Sequence, residues 1–282
     1  MLVMKKATLF KVLQRRNKFR NPKNLLSIPE NLSYSSQEFL AAQRYLHGLE
    51  LKKINFTYPG HENYPQAFLK MLEPPLFLEF IGEPVWNSRS TMSVVGSRKI
   101  HALSQLWMKE HLTKLIARTG VCVVSGGAIG VDLLAHTLAV MEQKPTIAVL
   151  PSGLSQLHPM DLRRLAPALL RSGGVLVSEF ESDDTPRKEN YFFRNRLIAA
   201  FGSMTLIIQA QQRSGTFLTV HHALQNGRPI MVVPAHPAIE NFSGNLILLQ
   251  DGAIAAYNAD DVHLHLQTEI QFGAQPQLLF SV

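Results

Sequence analysis

Six short runs of nearly continuous apolar residues recur through the middle of the chain, at 92–95, 121–124, 146–150, 175–178, 205–209 and 230–233. Between them, apolar positions spaced three and four apart predict helices near 103–118, 131–143, 161–171, 194–202 and 216–226. A strand that is apolar on every residue is one covered on both faces. Strand and crossover helix repeated five times therefore predict an α/β fold with a doubly wound, mostly parallel sheet. Ahead of this pattern, Ser35 and Glu38 have capping-box spacing before Phe39, Leu40, Tyr45 and Leu46, which predicts a small helical segment. Residues 58–90 are punctuated by Pro59, Pro65, Pro74, Pro75 and Pro84 and read as an extended lead-in to the sheet. The expected organisation is a basic, partly helical segment at 1–55, a main domain at 56–255 and a short tail at 256–282 with no winged helix.

Charge changes this picture at one end. The chain carries a formal net charge of +7, which favours an anionic partner and nucleic acid first. Lys5, Lys6, Lys11, Arg15, Arg16, Lys18, Arg20 and Lys23 all precede the first acidic residue, Glu30. Such a run reads as a solvated tail that adds diffuse attraction to phosphates. No stretch is long and apolar enough to predict a membrane span or a signal peptide. Cys122 is the single cysteine and falls in a predicted core strand, so a cytoplasmic location is expected, with no disulfide and no thiolate metal site.

In an open α/β sheet, ligands bind beyond the carboxyl ends of the strands. The segments there are Gly96-Ser97-Arg98, Ser125-Gly126-Gly127, Pro151-Ser152-Gly153 and Arg213-Ser214-Gly215-Thr216. Four such loops, rich in donors and small residues, predict one polyanion site. In it Arg98 and Arg213 supply charge, while Ser97, Ser125 and Ser214 supply donors. The turn at 125–130 is expected to form one wall, with Gly126 and Gly127 admitting a nucleic-acid backbone. A second dense stretch, Tyr191-Phe192-Phe193-Arg194-Asn195-Arg196, is expected to open a helix. Its arginines there suit phosphates and its aromatics suit stacked bases; the competing reading packs the aromatics and pairs the arginines with acids such as Glu179.

Catalytic signatures are absent from this pattern. Ser125 precedes its glycines rather than sitting between them, so it is no nucleophile elbow. Asp132 and His136 read as helix-start and packing residues, and no metal-binding spacing is present. The Ser125–Gly130 segment begins with serine where a dinucleotide fingerprint needs glycine, and the next strand ends in Pro151-Ser152 without an acid. No cofactor is expected.

These motifs, taken in order, resemble the DNA processing protein A (DprA/Smf) family. The resemblance is carried by Tyr64-Pro65 through Pro74-Pro75-Leu76 to Gly82, Val95-Gly96-Ser97-Arg98 and Val124–Asp132 with Ala135-His136. It continues through Ser178-Glu179-Phe180, Phe193–Ala199, Arg213–Thr216, Gly227-Arg228, Val233-Pro234 and Gly252-Ala253. It implies an extended Rossmann-like domain that binds single-stranded DNA, forms a homodimer and loads the RecA recombinase during natural transformation and DNA recombination. Carried over by motif, the DNA-binding residues would be Gly96, Ser97, Arg98, Ser125, Gly126, Gly127, Lys188, Phe192, Arg194, Asn195, Arg196, Arg213, Ser214 and Gly215. The chain departs from the family pattern at Ser155, His158, Leu162, Gln209 and Ala235. A competing, enzymatic reading is a nucleotide-processing hydrolase of the nucleoside monophosphate phosphoribohydrolase type. It needs a Pro-Gly-Gly-x-Gly-Thr loop followed by glutamate, and Arg213–Thr216 lacks both the double glycine and the acid.

Overall fold

A computed structural model describes residues 2–18, 21 and 25–272. Of the residues discussed above, Arg20, Lys23 and the tail from 273 onward lie outside that description. The predicted strands are β3 (Thr91–Gly96), β4 (Cys122–Ser125), β5 (Thr146–Leu150), β6 (Val175–Ser178), β7 (Thr205–Gln209) and β8 (Ile230–Val232). They are flanked by β1 (Asn55–Thr57) and β2 (Leu78–Gly82) at one edge and β9 (Ile254–Ala255) at the other. The sheet order is β1-β2-β6-β5-β4-β3-β7-β8-β9. β1 and β2 pair antiparallel, and every pairing from β6 to β9 is parallel. The proline-rich lead-in thus runs into the sheet as β2, near one edge, as expected.

The continuous apolar runs have the reason the sequence suggested: both faces are covered. Val95, Val124, Val149, Val177 and Ile207 point to one core, shared with α7 (Lys188–Phe201), α8 (Thr216–Gln225) and α9 (Ser243–Gln250). Their neighbours Val94, Val123 and Leu206 point the other way, as alternation along a strand requires. There they meet α3 (Ala102–Trp107), a π turn at Met108–Leu112, α4 (Thr113–Thr119), α5 (Val131–Met141) and α10 (Ala259–Phe272). Ala148, Leu150 and Leu176 extend that second face under α1 (Leu2–Arg16), α2 (Ser36–Leu51) and α6 (Met160–Arg171).

Three expectations change. The basic run at the start is not a free tail where it is described. α1 lies on the sheet edge with Lys11 fully buried, its ammonium 3.2 Å from Glu79 Oε1, while Arg15 and Arg16 pair with Glu181 and Glu38. The capping box at Ser35 and Glu38 forms as predicted. The segment after residue 256 contains α10, whose Val262 and Leu266 close the core against α4. Lastly, α7 begins at Lys188, six residues before the predicted start, so Arg194 and Arg196 stand inside the helix instead of at its N-terminus.

Candidate nucleic-acid interface

The strand order reverses between β3 and β7, the position where open α/β sheets form their ligand crevice. β3 there ends in a register irregularity between Val95 and Gly96. A cleft of about 360 Å3 opens at this point. Gly96, Ser97 and Arg98 reach it from β3, Ala128 and Asp132 from the turn into α5, Tyr191, Phe192, Arg194 and Asn195 from α7, and Ser214 to Thr216 and Thr219 from α8. A Cβ on Gly96 would stand 2.8 Å from Val131 Cγ2 and 3.0 Å from the Gln209 carbonyl, so the strand end and α5 can meet only through glycine.

The cleft is weighted towards cations. Arg98 is exposed and, among the described residues, forms no ion pair. Its guanidinium carbon lies 5.2 Å from the centre of the Tyr191 ring, and that of Arg194 lies 5.7 Å from the same ring. Arg194 is buried and donates from Nη1 to the Val149 carbonyl at 2.8 Å, which fixes it beneath the cleft. The carboxylate that answers Arg194 is Asp132, itself buried. Burial raises its pKa above the ordinary range, opposed by the charge of Arg194 and by hydrogen bonds from the Ala128 and Gly126 backbone. Two donors point to a ligand: Ser214 Oγ and Arg194 Nε are buried without a protein partner. Phe192 is 53% exposed beside them, a large ring left in water.

The cleft brings together eight of the residues expected from sequence: Gly96, Ser97, Arg98, Phe192, Arg194, Asn195, Ser214 and Gly215. The others stand elsewhere. Ser125 is fully buried and its hydroxyl donates to the Val94 carbonyl, so it has no proton to offer a ligand. The Gly126 N–H donates to Asp132 Oδ2 at 3.2 Å; the turn receives its own helix-start carboxylate instead of an outside anion. Gly126 gives room to Arg194, whose Nη1 would lie 1.8 Å from an added Cβ. Gly127, at φ +66°, lies over Leu162, whose side chain fills the space a Cβ would need. Arg196 leaves the cleft altogether. It is buried and holds both carboxylate oxygens of Glu179 from Nη2, at 2.7 and 2.6 Å. Successive helical residues turn by about 100°, so two arginines separated by one residue point to opposite sides of α7. Lys188 stands exposed on the first turn of α7, and Arg213, at φ 63°, is exposed just outside the cleft wall.

Tyr191, from the dense aromatic stretch, also lines the cleft, as does Thr219, which was not singled out by sequence. Thr219 lies three residues after Thr216, the spacing that sets both on one side of α8. His136 has the packing role expected: fully buried, it lies with Nδ1 2.8 Å from Thr146 Oγ1, whose own proton goes to the Val123 carbonyl. Burial, with the charge of Arg194, holds its imidazole down at about 3. Gln209 has a concrete use for its amide. Oε1 accepts from the His101 N–H and Ser104 Oγ while Nε2 donates to the Lys99 carbonyl, a pattern that an ionised glutamate could not satisfy.

The model of the DNA recombination-mediator protein A family matches residues 55–267. Protein Smf of Escherichia coli is 34% identical over 206 residues, 73% of this chain and 55% of that protein. DNA processing protein DprA of Bacillus subtilis is 29% identical over 210 residues, 74% of this chain and 70% of that one. The chain thus spans little more than half the length of the first of these relatives. The crystal structure of DNA processing protein A from Streptococcus pneumoniae shares the fold, with a TM-score of 0.72, 93% coverage of each chain and 23% identity. DNA processing protein A from Helicobacter pylori, whose structure was described for its single-stranded DNA binding mode, superposes with a TM-score of 0.66 at 26% identity, over 78% of this chain and 96% of that one. Strand order, motifs and matched residues lead to one conclusion: the chain belongs to the DNA recombination-mediator protein A family.

Proposed function

We propose that the cleft between β3 and β7 binds the backbone of single-stranded DNA. The observation that carries this reading is the pairing of two arginines, Arg98 and Arg194, with Tyr191 and the exposed Phe192 around one switch-point cleft. Exposed guanidinium answers phosphate, and rings answer unpaired bases, which a duplex keeps stacked inside. Support comes from the Helicobacter pylori relative, described as a single-stranded DNA binder. Lys188 and Arg213, exposed at the margins, add longer-range attraction. Within this reading the chain is a cytoplasmic binding protein of natural transformation and recombination. It acts as a homodimer, protects incoming strands and passes them to a RecA recombinase, as the family resemblance implies.

The reading is one of binding rather than hydrolysis. A hydrolase would use the cleft carboxylate, and Asp132 spends its acceptors on the Gly126 and Ala128 backbone. The test is a competition titration with single- and double-stranded oligonucleotides across a salt series. Single strands bind more tightly, and Arg98→Ala lowers the slope of log affinity against log salt by about one. Equal affinity for both forms, or an unchanged slope in Arg98→Ala, refutes the assignment.

A further inference from the structure

The turn into α5 turns the N–H of Gly126 inward to Asp132, yet it stands directly beside the cleft. What it presents outward is a side chain. Ile129 is 53% exposed between Gly127 at φ +66° and Gly130 at φ +95°. Two left-handed glycines bend the backbone on either side of it and stand the isoleucine at the rim. At Gly130 this bend is obligatory, because a Cβ would lie 2.4 Å from the Ser97 carbonyl oxygen. A solitary exposed isoleucine needs no explanation. This one borders a second recess of about 70 Å3, lined also by Pro151, His158 and Pro159, which shares Arg98 and Tyr191 with the main cleft.

The chemistry of the two spaces differs. The cleft has buried donors without partners, Ser214 Oγ and Arg194 Nε. The recess has an aliphatic rim, two prolines and two rings, with a single exposed cation at the boundary. Such a surface suits the flat face of an unpaired base and offers little to a phosphate. We infer that the recess is a second nucleotide subsite. Arg98 holds the phosphate that joins two successive nucleotides, one of which occupies the cleft, while the base of the other rests on Ile129 and His158, both exposed at the recess. This inference rests on the reading of the cleft as a single-stranded DNA site. At about 70 Å3 against 360 Å3, the recess supports a base without enclosing it. Contact with a π-face rather than a base edge makes the subsite tolerant of sequence.

The test uses the full chain with Ile129→Ala, Ile129→Phe and Arg98→Ala, titrated against a thymidine oligonucleotide of about 20 nucleotides at several salt concentrations. Ile129→Ala weakens binding roughly 3- to 10-fold, and Ile129→Phe restores or tightens it, because an aromatic ring stacks better than an alkyl chain. Neither changes the salt slope, since no phosphate contact is lost. Ile129→Ala affinity within about twofold of the parent, or a slope that falls with it, overturns the subsite. The two readings fail separately. If Arg98→Ala weakens binding and Ile129→Ala does not, the subsite alone is wrong. If Arg98→Ala leaves binding and slope unchanged, the cleft assignment is wrong and the subsite falls with it.

Discussion

Gly126→Ala attacks the cleft from beneath, at a residue that lines the recess but not the cleft wall. Gly126 is not a left-handed residue, so the substitution imposes no backbone strain; what it removes is space. The new Cβ would stand 1.8 Å from Arg194 Nη1, 2.4 Å from Cζ and 2.7 Å from Nη2. Moving Nη1 from 1.8 Å to an ordinary contact of 3.4 Å displaces the guanidinium by about 1.6 Å, enough to break its 2.8 Å bond to the Val149 carbonyl. Losing a hydrogen bond from a charged donor costs about 1.5–3 kcal/mol. Asp132 is also left buried with its cation displaced, so the total is about 2–4 kcal/mol. Denaturant unfolding measures this directly, and the same variant loses affinity for single strands because Arg194 no longer stands where the cleft needs it. A double-mutant cycle isolates the cause. Gly126→Ala adds little to the cost of Arg194→Met, since methionine has no guanidinium to displace. Full additivity, or a Gly126→Ala variant within about 0.5 kcal/mol of the parent, refutes the steric account.

Other sites give independent checks. Lys11→Met leaves Glu79 buried without its cation and lowers stability by about 3–5 kcal/mol, and adding Glu79→Leu recovers most of the loss in the same unfolding assay. His136 is held at about 3 in the folded chain against an ordinary value near 6.5. As pH falls below about 6.5, the unfolded chain takes up a proton that the folded chain refuses. The contribution of neutral His136 is therefore complete above pH 6.5 and declines towards pH 3, by up to about 1.4 kcal/mol per pH unit. Unfolding curves between about pH 7 and pH 4.5 show a shallower pH dependence in His136→Gln than in the parent. Asn245→Ala releases the Ala210 N–H and the Ile208 and Val233 carbonyls together. It lowers the midpoint of thermal unfolding, by about 2–4 kcal/mol in stability terms.

Much of this protein was legible in its sequence, because continuous apolar runs alternating with helical spacing have one economical solution, a sheet covered on both faces. Each of the six predicted strands starts and ends within one residue of its place in the structure, and the glycine- and serine-bearing loops fall at the carboxyl edge where the topology needs them. Arg98 and Ser214 were found on that basis, and Phe192 from the aromatic and basic stretch at 191–196. Only the tertiary structure decided how each polar group is used. Whether an N–H faces solvent or a carboxylate six residues later is a matter of distance in space, and Asp132 takes from the Gly126 turn the anion-binding role its glycines suggested. Arg194 and Arg196 are equivalent as letters, but helical rotation sends one beneath the cleft and the other into Glu179. Lys11 belonged to a basic run that reads as solvated, and it is buried because Glu79, 68 residues away, waits on the sheet edge to pair with it. Local pattern determines which elements form; burial and partners brought from far along the chain determine which of their side chains remain free to bind.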